Sequence, residues 1–449
     1  MQREAHTSLM FHRTQTNLFD SPAHPGGRIH RLRIQEPACF PLLSVFLAAV
    51  MIQSASAGQS AQPVMEVRTS TKVLNGKIVS IDQHEVCLVD RFGRLERLPA
   101  AEVLSHRVVS EHYRTAGAAD FRDQLKAELP KSLEMTVGSR YIVCGPRGRT
   151  ETYHSLLQET YRNVERRFRV HGFRTAHPET SLVAVVFASS KDFAEYCRRD
   201  GVVWSPGLKG YYSLRTNRIA LYESLGPDVR TSMHHHAESG DGFSRTESAP
   251  GSADSSHQPN GHSQEIMASV DSMTDTTAAT LIHEATHQIG YNIGIHSRIS
   301  CTPTWVIEGL ATVLEAPGMR KSSPHNTLRS RLNPERFTWY QEKLAPRRQL
   351  GDLAGMIASD ELFTTRTLDA YSQAWAVTYF LTETPSRARQ FVTYLQLIES
   401  RKSHQPGSAE DRLRDFKSVF GDIARLDVDF VRFMDRIPTS SAGAVAANR

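Results

Sequence analysis

The stretch His283-Glu284-Ala285-Thr286-His287 constrains the fold of this chain more than any other. Two imidazoles at this spacing meet only on one face of a helix, because a helix completes a turn in about 3.6 residues. The neighbouring residues supply that helix. Asp275 is a capping residue, and the run from Thr276 to Gly290 holds no proline before Gly294 can stop it. Leu281, Ile282, Ala285 and Ile289 give the helix an apolar side that can pack. The two rings are then close enough to hold one metal ion, and Zn2+ is the ion this pattern serves. Glu284 sits beside them, able to reach a water on that ion. The metal lowers the water's pKa and the carboxylate takes its proton, which is the hydrolytic logic of H-E-x-x-H.

Catalytic zinc takes three protein ligands and a water. One continuation of the motif places a Gly and then a third His downstream. Gly290 matches it, but Ile293 stands where that His is required, and His296 is at the wrong spacing. The other continuation draws a Glu from the next helix. Pro303 starts such a helix, Thr304–Glu315 continues it, and Pro317-Gly318 ends it. Glu308 lies in it among apolar neighbours. A ligand role explains a carboxylate there; the competing reading is a solvated glutamate on the helix surface.

The rest of the chain falls into segments. Arginines 28, 31 and 33, the short apolar run Phe40–Ile52 and the small residues Ser54–Ala57 form a secretory signal, so residues 1–57 are a leader cleaved near Ala57. The alternative is an uncleaved anchor, although the run is shorter than the ~20 residues of a membrane span. The mature chain holds no stable membrane span and is placed outside the cytoplasm. Residues 66–108 hold short alternating runs at 77–81, 85–89 and 95–98, separated by the turn signals Asn75-Gly76 and Arg91-Phe92-Gly93. They predict a small all-β module of SH3-like size. A linker near 110–136 follows.

A catalytic-type domain over 137–437 then alternates strand and helix. Residues 139–144 and 182–187 are strands. Tyr153, Leu157, Tyr161, Val164 and Phe168 recur at helical spacing. Ser190 caps a helix to Arg199, and Gly210–Ser213 with Arg218–Tyr222 form a hairpin. Residues 225–272 are rich in Ser, Gly, His, Asp and Pro, and read as a disordered insertion that includes His234-His235-His236. The chain is helical beyond 273, and its tail, 438–449, is small, polar and disordered. Cys87, Cys144, Cys197 and Cys301 are either free thiols or paired, with Cys144–Cys197 one option. Hydrophobic residues at 39% exclude general disorder, and a net charge of +5 without a basic block excludes nucleic acid as a partner.

His283-Glu-Ala-Thr-His287 followed by Trp305-Val-Ile-Glu-Gly-Leu-Ala311 resembles the gluzincin (thermolysin-like) metallopeptidases. More narrowly, the chain resembles an uncharacterised bacterial group of exported peptidase-like proteins in that clan, over roughly residues 139–435. The resemblance implies an α+β fold with a thermolysin-like core: a mixed sheet, the zinc helix and a helical C-terminal lobe. It implies His283, His287 and Glu308 as zinc ligands, Glu284 as general base, and a peptide or protein substrate. It also implies that Arg218–Tyr222 pairs with an extended substrate. Gluzincins often carry an Asp four residues after the third ligand, to orient a zinc histidine; Thr312 stands there, and Glu315, one turn on, is the substitute. Tyr371 is the candidate donor to the transition-state oxyanion, against the reading that it and Trp375 are core aromatics. The intact Glu284 favours catalysis over a zinc-containing binding or scaffold protein. Hydrolysis of a non-protein amide is the third reading.

Overall fold

A computed structural model of the chain describes residues 62–223, 275–320, 327, 329–401 and 407–438. The expected leader, the insertion at 225–272 with its three histidines, and the tail from 439 lie outside these residues.

The N-terminal unit is a five-stranded antiparallel sheet. Its strands are β1 (Val64–Arg68), β2 (Val73–Ile81), β3 (Glu85–Val89), β4 (Leu95–Pro99) and β5 (Ser105–Ser110). The order is β4-β3-β2-β1-β5, so β4 and β5 are its edges. Each of the three sequence-predicted runs is a strand, and the structure adds β1 and β5. Met65, Val67, Val86, Leu88 and Leu98 pack into a small core of their own. The predicted turn after β3 forms because the Asp90 carboxylate accepts the N–H groups of Phe92 and Arg94 at 2.9 and 2.8 Å, while Gly93 takes a φ of +79°.

The expected linker is instead structured. Helix α1 (Ala118–Glu128) and strand β6 (Glu134–Val137) occupy it. Only Phe121 and Leu125, one turn apart, are buried on α1, too few to show a helical period in sequence.

The second sheet adds β7 (Tyr141–Gly145), β8 (Leu182–Phe187), β9 (Gly210–Ser213) and β10 (Arg218–Tyr222), in the order β6-β7-β8-β10-β9. The pairs β7–β8 and β8–β10 are parallel, and the outer pairs are antiparallel. Parallel central strands need helical crossovers, which cover both faces and bury every residue of β7 and β8. Helix α2 (Thr150–Val170) covers one face, with all five predicted apolar positions buried. Helix α3 (Ser190–Asp200) covers the other through Phe193, Tyr196 and Cys197. Its cap is Ser189 rather than Ser190: the Ser189 hydroxyl accepts the Asp192 N–H at 3.1 Å. Cys144 and Cys197 share this apolar cluster without a disulfide between them, and among the described residues neither buried Cys87 nor exposed Cys301 forms one.

The helical half contains α4 (Asp275–Asn292), α5 (Thr304–Leu314), α6 (Pro334–Trp339), α7 (Thr367–Glu383), α8 (Pro385–Ser400), α9 (Ala409–Phe420) and α10 (Ile423–Asp435), with shorter helices between α6 and α7. Two glycines allow close approaches that position its helices. A Cβ on Gly309 of α5 would strike the Thr378 hydroxyl and lie 2.7 Å from the Ala374 carbonyl of α7. A Cβ on Gly210 of β9 would lie 3.0 Å from Thr280 of α4. Helix α4 therefore sits directly beside the β9 edge of the sheet.

Arg298 is one of the links between the two units. Arg298, in the loop after α4, donates to Leu214 O (2.8 and 2.5 Å), Arg215 O (3.1 Å) and Gly93 O (2.9 Å). The first two carbonyls belong to the β9–β10 turn and the third to the N-terminal sheet. Leu95 N–H also donates to Arg215 O at 2.7 Å, and Arg97 to Arg298 O at 2.8 Å. The N-terminal sheet thus props the hairpin that borders α4. Arg298→Ala removes a charged donor from three carbonyls and should cost about 2–3 kcal/mol. Chemical denaturation read by tryptophan fluorescence checks it, and a loss below about 0.5 kcal/mol contradicts the brace.

Candidate metal centre

Helix α4 forms because its apolar residues recur on the faces turned to the sheet and to α5. Leu281, Ile282, Ala285 and Ile289 are all buried. Gln288 pins the helix to the sheet, its amide donating to Val183 O (3.1 Å) and Asn217 O (2.8 Å). Asn217 holds the β9–β10 turn at a φ of +57°, a conformation asparagine tolerates better than most side chains. Its Oδ1 accepts Tyr212 O–H and Asn292 Nδ2, both at 2.8 Å. The helix, the turn and β9 are thus locked together.

On this frame His283 Nε2 and His287 Nε2 approach to 3.0 Å. Glu308 Oε2, from α5, lies 3.4 Å from the first and 3.7 Å from the second. Among the described residues these three form the group whose donor atoms converge within 4.8 Å and could hold a metal ion. His283, Glu284, His287 and Glu308 are 8, 6, 4 and 4% exposed. A solvated surface position for Glu308 is thereby excluded.

Such burial is reflected in the acid–base properties. Burial pushes the His287 imidazole down to about 4, and it pushes the Glu284 carboxyl up to about 7, aided by Glu308 and Glu315 and opposed by His283. Burial also disfavours a charged His283, but its hydrogen bonds to the Glu308 and Glu315 carboxylates outweigh it and hold that imidazole above its usual range. Two imidazole nitrogens and a carboxylate oxygen facing one another need a cation between them, a proton or a metal ion. Two imidazole nitrogens with one carboxylate suit a nitrogen-accepting metal ion better than the oxygen-seeking Ca2+ or Mg2+. Glu284 Oε2 is buried with no hydrogen-bond partner, beside the convergence point, where a metal-bound water would supply one.

The chain's answer to the missing aspartate is visible. Thr312 turns back on its own helix, its hydroxyl donating to Glu308 O (2.7 Å) and Gly309 O (3.1 Å). Glu315 takes the orienting position: its Oε1 accepts His283 Nδ1–H at 2.5 Å. That bond fixes the tautomer, leaving the Nε2 lone pair for a metal.

Gly290 has a purpose the motif comparison did not assign. A Cβ there would lie 2.8 Å from the ring of His296, which is 3% exposed and packs 5.2 Å from the Tyr291 ring. His296 is therefore a neighbour of the site and not one of the converging donors; burial pushes its imidazole down to about 3.

One expectation is corrected. Arg218–Tyr222 is not an edge: β10 is hydrogen-bonded on both sides, to β8 and to β9. The edge strand is β9, and the Tyr212 backbone N–H lies against the Glu284 carboxylate and favours its charged form. The sequence signal for this was the hairpin itself, whose outer member a list of runs does not reveal. Tyr371 is buried on α7, edge-on to Phe363 at 5.6 Å and under the Arg336 guanidinium at 5.4 Å.

Residues 277–405, which hold His283, Glu284, His287, Glu308 and Glu315, match a family described as "Protein of unknown function (DUF1570)". No curated protein matches the chain.

Gly290→Ala tests the close approach of His296. Alanine gains about 1 kcal/mol of helix propensity, but overpacking costs about 1–3 kcal/mol. The single variant should be net destabilised in urea unfolding, and the same change in a His296→Ala background should be neutral or stabilising. Equal effects in both backgrounds contradict the packing. For the triad, Glu308→Ala should reduce bound zinc well below one per chain by atomic emission; unchanged stoichiometry removes Glu308 from the ligand set.

Proposed function

We propose that this chain is an exported zinc-dependent hydrolase that cleaves peptide bonds, built on a gluzincin, thermolysin-like plan. The observation that carries the reading is Glu284: a buried carboxylate with an unpartnered Oε2, set beside two imidazoles and a second carboxylate. A zinc scaffold needs the triad and has no use for a poised base.

His283, His287 and Glu308 would hold the ion, which when bound acidifies a water and polarises the carbonyl to be attacked. Glu284 Oε2 takes the proton of the attacking water and later delivers it to the departing nitrogen. Its carboxyl, pushed up to about 7 by burial, is suited to both transfers near neutral pH. Glu315 keeps His283 in one tautomer and one orientation. Strand β9, the edge beside Glu284, offers backbone groups to an extended chain, which supports a peptide as substrate. Tyr371 remains the candidate donor to the developing oxyanion. The N-terminal sheet reads as a small SH3-like module, and the leader at 1–57 supports export to the periplasm, envelope or medium.

Glu284→Gln keeps the shape and removes the base. It should retain full zinc and lose about 10²–10⁴-fold in kcat against a peptide library. A wild-type protein that holds one zinc but cleaves no peptide contradicts the peptidase reading. Cleavage of a non-protein amide, abolished by the same substitution, would move the substrate and keep the chemistry.

A further inference from the structure

We propose that Asn333 is a positioning residue of the metal centre, acting through Glu315 on His283. This inference rests on the zinc-site reading above and extends it by one residue that belongs to neither helix of the motif.

Glu315 has two oxygens and divides them. Oε1 accepts His283 Nδ1–H at 2.5 Å, and Oε2 accepts Asn333 Nδ2 at 2.7 Å. The same Nδ2 donates to Thr312 O at 3.1 Å, near the end of α5. Asn333 is the N-cap of α6, and its Oδ1 accepts Arg336 N–H at 3.2 Å. That cap fixes which way the amide points: with Oδ1 committed to the helix, the two N–H bonds face Glu315 and the Thr312 carbonyl. The amide is 5% exposed, so water does not substitute for it. Helix α6 is itself held to α7, since Ser372 O–H donates to Arg336 O at 2.5 Å. A rigid chain of hydrogen bonds thus runs from α7 through α6 and Asn333 to Glu315, and ends on the Nδ1 of a metal-ligand histidine.

The capping role alone explains an Asn at this position, and Asp or Ser would cap as well. Neither presents an N–H toward Glu315. Asp places a second carboxylate oxygen against Oε2, and Ser leaves Oε2 without its donor. This difference separates positioning from capping.

The experiment measures the zinc affinity of the full chain by competition with a chromophoric chelator, using Zn2+ alone as the probe. Far-UV circular dichroism confirms folding of each variant. Asn333→Ser and Asn333→Asp should fold, because the cap survives, and should bind zinc about 10–100-fold more weakly than the wild type. In a Glu315→Gln background the Asn333→Ser change should add little, because the relay is already broken. The Co2+ d–d spectrum should shift alike in Asn333→Ser and Glu315→Gln. Zinc affinity within about twofold of wild type in both folded variants overturns the proposal. So does a loss fully additive with Glu315→Gln, which would make Asn333 act by another route. Should either Asn333 variant not fold, the other carries the affinity comparison; failure of both to fold assigns Asn333 to capping and overturns the proposal. A wild-type chain that binds no zinc instead fails the underlying reading, independently of Asn333.

Discussion

Four ionisable side chains buried in one place govern this structure. His283, Glu284, His287 and Glu308 sit at or below 8% exposure inside an interior otherwise filled by leucine, isoleucine and aromatic side chains. An isolated buried charge costs several kcal/mol, so the group is tolerable only if its members compensate one another or share a cation. The surrounding architecture serves that requirement. Gly309 lets α5 sit close to α7, which fixes the height of Glu308. Gly210 lets α4 approach the edge of the sheet, which sets Glu284 against the Tyr212 N–H. Helix α5 carries Glu308 and Glu315 two turns apart, so one face of it meets both nitrogens of His283.

The N-terminal sheet belongs to the same account. Among its contacts with the rest of the chain is Arg298, which satisfies carbonyls of the β9–β10 turn and of Gly93 together. The arginine follows the metal helix in sequence, so the helix, the hairpin and the sheet are tied at one point. The sheet, expected from sequence as a small all-β module, thereby also braces the strand next to the base.

Much of the site was legible because its chemistry obeys spacing. The pair His283 and His287 is readable from helical periodicity, Glu308 from a carboxylate in an apolar run, and Glu315 from counting one turn past the empty Thr312 position. What spacing could not reach was anything set by contact between distant segments. Asn333 reads only as an N-cap before Pro334; nothing in sequence says that its amide meets Glu315. The edge strand was assigned to the wrong member of a hairpin, because alternation marks strands and not their neighbours. Helix α1 was missed because two buried residues make no period.

The central claim is that the triad holds zinc through two imidazoles and a carboxylate. X-ray absorption at the zinc edge of the loaded protein tests it most directly. The account predicts nitrogen and oxygen neighbours only, at about 2.0–2.2 Å, with the outer-shell signature of two imidazole rings. A sulfur neighbour at about 2.3 Å, or a shell without imidazole scattering, would place the metal elsewhere and contradict the account.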